Sequence, residues 1–228
     1  MSDFSGRSVL VFGAAGALGS GVAAAFAEAG ARVTGVDQAQ PQGDRKLAGV
    51  EYRAADVGDD EAVGELFDSL ASGSGAAPWA VINTVGGFAG YRPLAELDLA
   101  ELTGQIALNL VTAALITKHS LRVLRRAGGG RVVHTASRAA VVTAGSGFAY
   151  SVSKLAVLHL VSMAADEVRA TGITVNCVVP SIIDTPANRA AMPQANHATW
   201  PKVRDIARTY LFLANPDSGL VNGAAIPV

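Results

Sequence analysis

Charge is scarce in this chain of 228 residues. Asp, Glu, Lys and Arg make up 16% of it and balance to a formal net charge of −1. Such a surface has no field of one sign to gather nucleic acid or an anionic membrane, so the expected partner is a small molecule. Cysteine is scarcer still. Cys177 stands alone, which excludes an internal disulfide. The histidines His119, His134, His159 and His197 are scattered, so no zinc spacing and no metal site are read, and a reducing compartment is the natural setting. No uninterrupted apolar run reaches the roughly 18 to 20 residues that cross a bilayer. The N-terminus carries Asp3 where a secretory leader carries positive charge, and its apolar run stops at Gly13. A soluble cytoplasmic protein is expected. Neither a repeat nor a second composition regime divides the chain, so residues 1–228 read as a single domain.

What is abundant is Ala, Val, Leu and Gly. Short β-branched runs alternate with longer Ala/Leu-rich segments throughout, the pattern of parallel strands joined by helical crossovers. Strands are expected at Ser8–Phe12, Arg32–Val36, Val50–Arg53, Ala80–Val85, Arg131–Thr135, Ile173–Val179 and Ala225–Val228. Helices are expected at Leu18–Ala29, Asp60–Leu70, Leu97–Arg126, Tyr150–Ala170 and Lys202–Ala214. The fold class is therefore α/β, a doubly wound parallel sheet of about seven strands with helices on both faces. The Gly/Ser-rich stretch Ala71–Ala77 reads as a surface connection, and Gly128–Gly130 as the end of the long helix.

The first strand runs into Gly13-Ala14-Ala15-Gly16-Ala17-Leu18-Gly19 and then an Ala-rich helix. Glycines there allow a tight turn and a close approach to a pyrophosphate, while the helix N-terminus offers unpaired N–H groups. Taken alone, the triplet reads equally as a structural turn. The second strand ends at Asp37, about twenty residues on, where a carboxylate can accept hydrogen bonds from an adenosine ribose. Its other reading is an ordinary strand-end turn residue. A 2′-phosphate would meet like charge at Asp37, and no Lys or Arg follows immediately, so NAD(H) is favoured over NADP(H). Asp56 and Val57 are placed beside the adenine, and Asn83 to Gly87 at the carboxyl edge of the sheet, where open α/β folds bind ligands.

Tyr150 and Lys154 are four apart in an expected helix, so their side chains leave one face. A phenol with an ordinary pKa near 10 is a poor acid–base group at neutral pH, and a nearby ammonium favours its ionised form. By itself Tyr-x-x-x-Lys also fits a plain amphipathic face. Here it follows Ser137, which closes a strand at the same sheet edge, by thirteen residues.

In order, Gly13/Gly16/Gly19, Asp37, Asp56-Val57, Asn83-x-x-Gly86, Asn109, Ser137, Tyr150-x-x-x-Lys154 and Pro180-x-x-x-x-Thr185 resemble the motif ladder of the short-chain dehydrogenase/reductase family over almost the whole chain. The resemblance implies a Rossmann-type fold, a nicotinamide dinucleotide and a Ser-Tyr-Lys-Asn tetrad. Tyr150 would exchange the proton and Ser137 would hydrogen-bond the substrate oxygen. Lys154 would lower the phenol pKa and hold the ribose, and Asn109 would support a water leading to Lys154. Ala15, Ala17, Leu18, Ile183 and Thr185 join the cofactor set, with Pro180 to Thr185 closing over the carboxamide. A homodimer or homotetramer built through the two longest helices is also implied. The chain departs from the family pattern with Phe12 for the usual threonine, Ala17 for the middle glycine, Thr84-Val85 for Asn-Ala and Ser181 for the glycine after Pro180.

Three loops, 16–20, 85–90 and 184–193 followed by Trp200, look closer to the dihydropteridine reductase branch. That branch typically lacks the tetrad's serine and asparagine, whereas both are present here. A group that polarises a carbonyl suits a ketone/alcohol pair better than a quinonoid ring. Phe88, Tyr91, Met192 and Trp200 read either as an apolar or stacking wall for substrate or as side chains half-buried against the sheet. Arg189 reads as a partner for an acidic substrate or as a solvated loop residue. A dinucleotide-sensing protein without turnover is the rival from another class, and retention of both Tyr150 and Lys154 argues against it.

Overall fold

The structure, a computed structural model, describes residues 3–43, 46–72, 77–90, 92–142 and 147–228, without the side chains of residues 71 and 72. Tyr91 and residues 73–76 of the Gly/Ser-rich connection lie outside the described residues. Seven strands form: β1 (Ser8–Phe12), β2 (Arg32–Asp37), β3 (Val50–Ala54), β4 (Ala80–Asn83), β5 (Gly130–Thr135), β6 (Ile173–Val179) and β7 (Ala225–Pro227). They pair in parallel in the order β3-β2-β1-β4-β5-β6-β7. β4, β5 and β6 are buried along their whole length, which is why they read as continuous apolar runs rather than alternating ones.

Helices α1 (Ala17–Glu28) and α7 (Val203–Ala214) cover one face of the sheet, over Val9, Val11, Ile82 and Val178. On the other face, α2 (Asp60–Ser72) lies over Leu10, Phe12 and Val81, and α5 (Phe148–Glu167) over Val132 and Val175. Two further helices, α3 (Leu99–Gln105) and α4 (Thr112–Arg126), lie on that same side. The order of the strands reverses at β1, whose neighbours are β2 and β4, and this switch point opens a crevice at the carboxyl ends of β1 and β4.

The expected helix over Leu97–Arg126 is continuous but not uniform. Between α3 and α4 the backbone widens into a π turn at Ile106–Val111, with Asn109 buried inside it. Such a turn inserts a residue and rotates the helix face. Here that rotation lets Asn109 reach Gly87 while α4 still lays Ala113, Ile116 and Leu124 on the sheet. β4 stops at Asn83 rather than Val85 because the Asn83 Oδ1 accepts the Val85 N–H at 2.9 Å and turns the chain out of the ladder. An unexpected short helix, α6 (Pro186–Ala191), forms behind Thr185, which caps it, with Pro186 in its first turn.

Although no uninterrupted apolar run spans a bilayer, the helices 99–126 and 148–167 are long and apolar enough to do so by length and composition alone. Each buries one face on the sheet. Leu108, Val111, Leu155 and Met163 remain exposed on them.

Candidate active site

The site begins where β1 ends. Gly13 adopts a left-handed φ of +79°, and a Cβ there would stand 2.8 Å from Thr84 Oγ1. Only glycine turns the chain so sharply against β4. Gly16 N–H donates to the Gly13 carbonyl at 3.0 Å, and α1 starts at once. No side chain caps the N-terminus of α1, and its first turn holds no acidic residue, so its positive end is open to an anion. Gly19, one turn along, is buried so tightly that a Cβ would run into the Gly13 carbonyl.

Asp37 closes this loop from β2. Its Oδ2 accepts the Ala15 N–H at 3.0 Å and its Oδ1 accepts the Gln38 N–H at 2.9 Å. The carboxylate therefore ties the glycine turn to the sheet, a role not foreseen from its spacing. A cavity of about 570 Å³ opens beside it, lined by Gly13, Ala15, Gly16, Asp37, Asp56, Val57 and Gly86 among the expected residues. Ala17, Leu18 and Gly19 lie just behind it in α1, and Asn83 lies buried beneath. Thr84 and Val85, inside the segment expected at the ligand-binding edge, line the cavity too, as do Leu108 and Thr112, which escaped sequence reading. The π turn shifts Leu108 and Thr112 off any regular helical period, which erased their signal. Gly58, another lining residue, was not singled out, although the Asp-x-Gly spacing signals the turn in which Asp56 Oδ1 accepts its N–H at 2.9 Å. An unblocked helix N-terminus, glycines at the turn beside it and a cavity of this size at the switch point together fit a dinucleotide.

Gly86 belongs to two places at once. It lines this cavity, and a Cβ on it would stand 2.6 Å from both Lys154 Nζ and Asn109 Oδ1. Lys154, 4% exposed, donates to the Thr135 carbonyl at 3.1 Å. Burial pushes its pKa down to about 8, with Cys177 acting the other way. The unfolded ammonium keeps its ordinary pKa of 10.5, so the buried one destabilises the fold increasingly as pH falls from 10.5 to 8. Asn109 pairs with the Gly87 backbone, its Oδ1 accepting the N–H at 3.2 Å and its Nδ2 facing the carbonyl at 3.1 Å. The same Nδ2 stands 3.2 Å from Gln105 Oε1 and 3.1 Å from Ser153 Oγ. Ser137 sits at the end of β5 with its Oγ accepting the Ala139 N–H. Tyr150 lies one helical turn before Lys154 on α5, its ring 5.0 Å from that of Phe88 in an edge-to-face contact.

Pro180 is buried at the end of β6, where its carbonyl accepts the Arg138 N–H, next to Ser137. Ile183 and Thr185 follow in the same segment, with Ile183 O holding Asn188 Nδ2 at 2.8 Å. Met192 and Trp200 are not brought to the cavity. His197 joins them instead, donating to the Met192 carbonyl at 2.8 Å and packing its ring 4.5 Å from Trp200. Arg189 is engaged within the chain: its guanidinium forms a bidentate pair with Asp184, at 2.5 and 2.9 Å. The Arg189 side chain is nonetheless half exposed.

Beneath the site runs a buried polar network. The Tyr210 hydroxyl is 2.6 Å from Thr135 Oγ1, which donates to the Asn83 carbonyl at 2.7 Å, and Asn83 Nδ2 meets His134 Nδ1 at 3.1 Å. Burial, with Lys154 adding to it, pushes the His134 pKa down from 6.5 to about 4. A histidine lowered in this way leaves stability unchanged above about pH 6.5 and reduces it as pH falls toward 4, by on the order of 3 kcal/mol.

Residues 13–228 match the family model described as enoyl-(acyl carrier protein) reductase. A cis-4-hydroxycyclohexanecarboxylate dehydrogenase of Sinomonas cyclohexanicum is 34% identical, covering 99% of this chain and 96% of the relative. A D-threitol dehydrogenase of Mycolicibacterium smegmatis is 29% identical, over 98% of this chain and 91% of its own. Among solved structures, a short-chain type dehydrogenase/reductase from Mycobacterium ulcerans superposes with a TM-score of 0.90 at 27% identity, covering 99% of this chain and 89% of that one. With its parallel seven-stranded sheet and its glycine turn at the switch point, this chain belongs to the short-chain dehydrogenase/reductase family of nicotinamide-dinucleotide oxidoreductases.

Proposed function

We propose that this chain is an NAD(H)-dependent oxidoreductase that interconverts a small ketone and the corresponding secondary alcohol, with Tyr150 as its acid/base. The observation that carries this reading is the double membership of Gly86. One residue without a side chain borders the dinucleotide cavity and abuts both the Lys154 ammonium and the Asn109 amide. The cofactor end and the proton-transfer end therefore share a wall.

Bound there, the dinucleotide would supply the hydride. The chain's own residues do the rest. Ser137 holds the substrate oxygen, and Tyr150 gives it a proton in reduction or takes one in oxidation. Lys154, positively charged below its lowered pKa, favours the ionised phenol and holds the ribose. Asn109 Oδ1 and Lys154 Nζ both stand close against Gly86, and a water between them would link the Asn109 amide to the Lys154 ammonium. Retaining a buried ammonium that weakens the fold is understandable if it serves this chemistry.

Two features support NAD(H) over NADP(H). Asp37 and Asp56 face the cavity, and its described lining contains no Lys or Arg, so a 2′-phosphate would meet carboxylates without a counter-charge. The two relatives above are named as dehydrogenases of a hydroxy acid and a polyol, which supports the ketone/alcohol chemistry over reduction of a quinonoid pterin. Val111, Leu155 and Met163, exposed on the two longest helices, support assembly with a second copy of the chain.

A panel of ketones, secondary alcohols, quinones and quinonoid dihydropterin, followed by NADH absorbance, tests the reading. Turnover is expected with ketones and alcohols, and activity confined to dihydropterin would replace this reading with the pterin one. Run with NADH and NADPH, the same assay should show Asp37→Ser losing at least tenfold in its preference for NADH, because one carboxylate is gone from the ribose site. Absolute affinity should fall as well, since Ala15 N–H loses its acceptor. An unchanged NADH/NADPH ratio would refute the role given to Asp37.

A further inference from the structure

β5 contributes a fully buried histidine that the reaction proposed above leaves unused. The tautomer of His134 follows from its neighbours. The Thr117 hydroxyl donates to the Ala113 carbonyl at 2.7 Å, so at 2.9 Å from His134 Nε2 it accepts, and Nε2 carries the proton. His134 Nδ1 is then a bare acceptor, and it takes an N–H of the Asn83 side-chain amide at 3.1 Å. That contact orients the amide, leaving Asn83 Oδ1 to accept the Val85 N–H at 2.9 Å. Val85 and Gly86, next in the chain, line the dinucleotide cavity.

We infer that His134 is a positioning residue: as a neutral acceptor for Asn83 it sets the strand-end turn Asn83–Gly87 that forms one wall of the cofactor cavity, and its protonation releases that wall. The inference rests on reading the cavity as a dinucleotide site. A proton on Nδ1 would face the two amide hydrogens of Asn83. Flipping the amide moves the conflict rather than ending it, since Nδ2 would then face the Val85 N–H. Either arrangement buries two donors against each other, which the fold avoids by moving the turn.

The groups around His134 sharpen the effect. From α5 comes Lys154, a cation that repels a second positive charge. In the paired position on β6 stands Cys177, whose thiol burial pushes up to about 12 and so keeps neutral. On the opposite side of β5, burial raises the Tyr210 phenol and keeps it neutral too. Neither Asn83 of β4 nor Thr117 and Ala113 of α4 titrates. Burial with no compensating anion holds the His134 pKa at about 4, so the turn is locked through the neutral range and is released only in acid.

The test is NAD⁺ binding by titration calorimetry, from about pH 7.5 down to the acid edge of the folded range set by circular dichroism. The proteins compared are the parent, His134→Leu and His134→Asn. An asparagine keeps a donor and an acceptor but does not titrate. At neutral pH, His134→Leu should weaken NAD⁺ binding about tenfold and His134→Asn should restore most of it. As pH falls toward 4, the parent should lose affinity while His134→Asn stays level. Should His134→Leu fail to fold, the comparison of parent with His134→Asn decides. Equal affinities for parent and His134→Leu, or a parallel acid loss in parent and His134→Asn, overturn the inference. So does a shift in the acid-unfolding midpoint with no change in NAD⁺ affinity. If the parent binds neither NAD⁺ nor NADP⁺ at neutral pH, the dinucleotide reading itself has failed.

Discussion

Tyr150→Phe should lower turnover by on the order of 10³-fold while leaving NAD⁺ affinity within a few-fold of the parent. The ring of Tyr150 packs edge-to-face against Phe88, and a phenylalanine keeps that contact. What leaves is one hydroxyl, carried on α5 one turn before Lys154. If that hydroxyl exchanges the proton with substrate, its loss falls on kcat, because the phenol acts in the transition state rather than in holding the dinucleotide. Steady-state kinetics beside calorimetry separate the two. Matching rates in parent and variant would remove Tyr150 from the chemistry. A protein that merely senses a dinucleotide would show no turnover to lose, and the parent assay distinguishes that case.

At the other end of the site, Gly19→Ala should weaken dinucleotide binding between about tenfold and a hundredfold. A Cβ at this position is driven into the Gly13 carbonyl and stands 2.6 Å from Thr84 Oγ1. The obstacle is backbone on one side and, on the other, a hydroxyl that already donates to the Phe12 carbonyl at 2.7 Å, so neither yields as a flexible side chain would. Overpacking of this kind costs about 1 to 3 kcal/mol. Here the strain falls on the turn that presents α1's N-terminus to the phosphates, so about 1.4 kcal/mol of it spent on binding is already tenfold. The melting temperature should drop by a few degrees as well. Affinity within twofold of the parent would show that the glycine turn is not the phosphate cradle. Together the variants form a double dissociation, one losing chemistry and the other losing cofactor.

Much of this architecture was legible because strands buried on both faces leave continuous Val/Ile/Ala runs and the crossover helices carry their own period. β1 and β6 fall on the expected residues, the other strand boundaries move by only a residue or two, and α5 stops three residues short of Ala170. The misses have local causes. A side-chain hydrogen bond ended β4 at Asn83, and side-chain bonds of that kind leave no periodic trace. The π turn around Asn109 hid Leu108 and Thr112, since both were assigned to a regular helix. Asp37 was placed by its distance from the glycines, yet its bond to Ala15 N–H spans 22 residues of chain and exists only once β1 and β2 are paired. His134 was read as one of four scattered histidines, because nothing in its neighbours in sequence announces Asn83 and Thr117 on either side of it. Within the loop 184–200, His197 donates to the Met192 backbone carbonyl and packs on the Trp200 ring while Arg189 pairs with Asp184, contacts that depend on how the loop folds back and that spacing does not announce.

A crystal structure with NAD⁺ bound would test most directly whether the two ends of the site meet. The account predicts pyrophosphate density at the N-terminus of α1 and the nicotinamide ring lying past Gly86, in contact with the Tyr150 hydroxyl. Density that places the ring away from Tyr150, or a dinucleotide bound outside the cavity between Gly13 and Gly86, would contradict it.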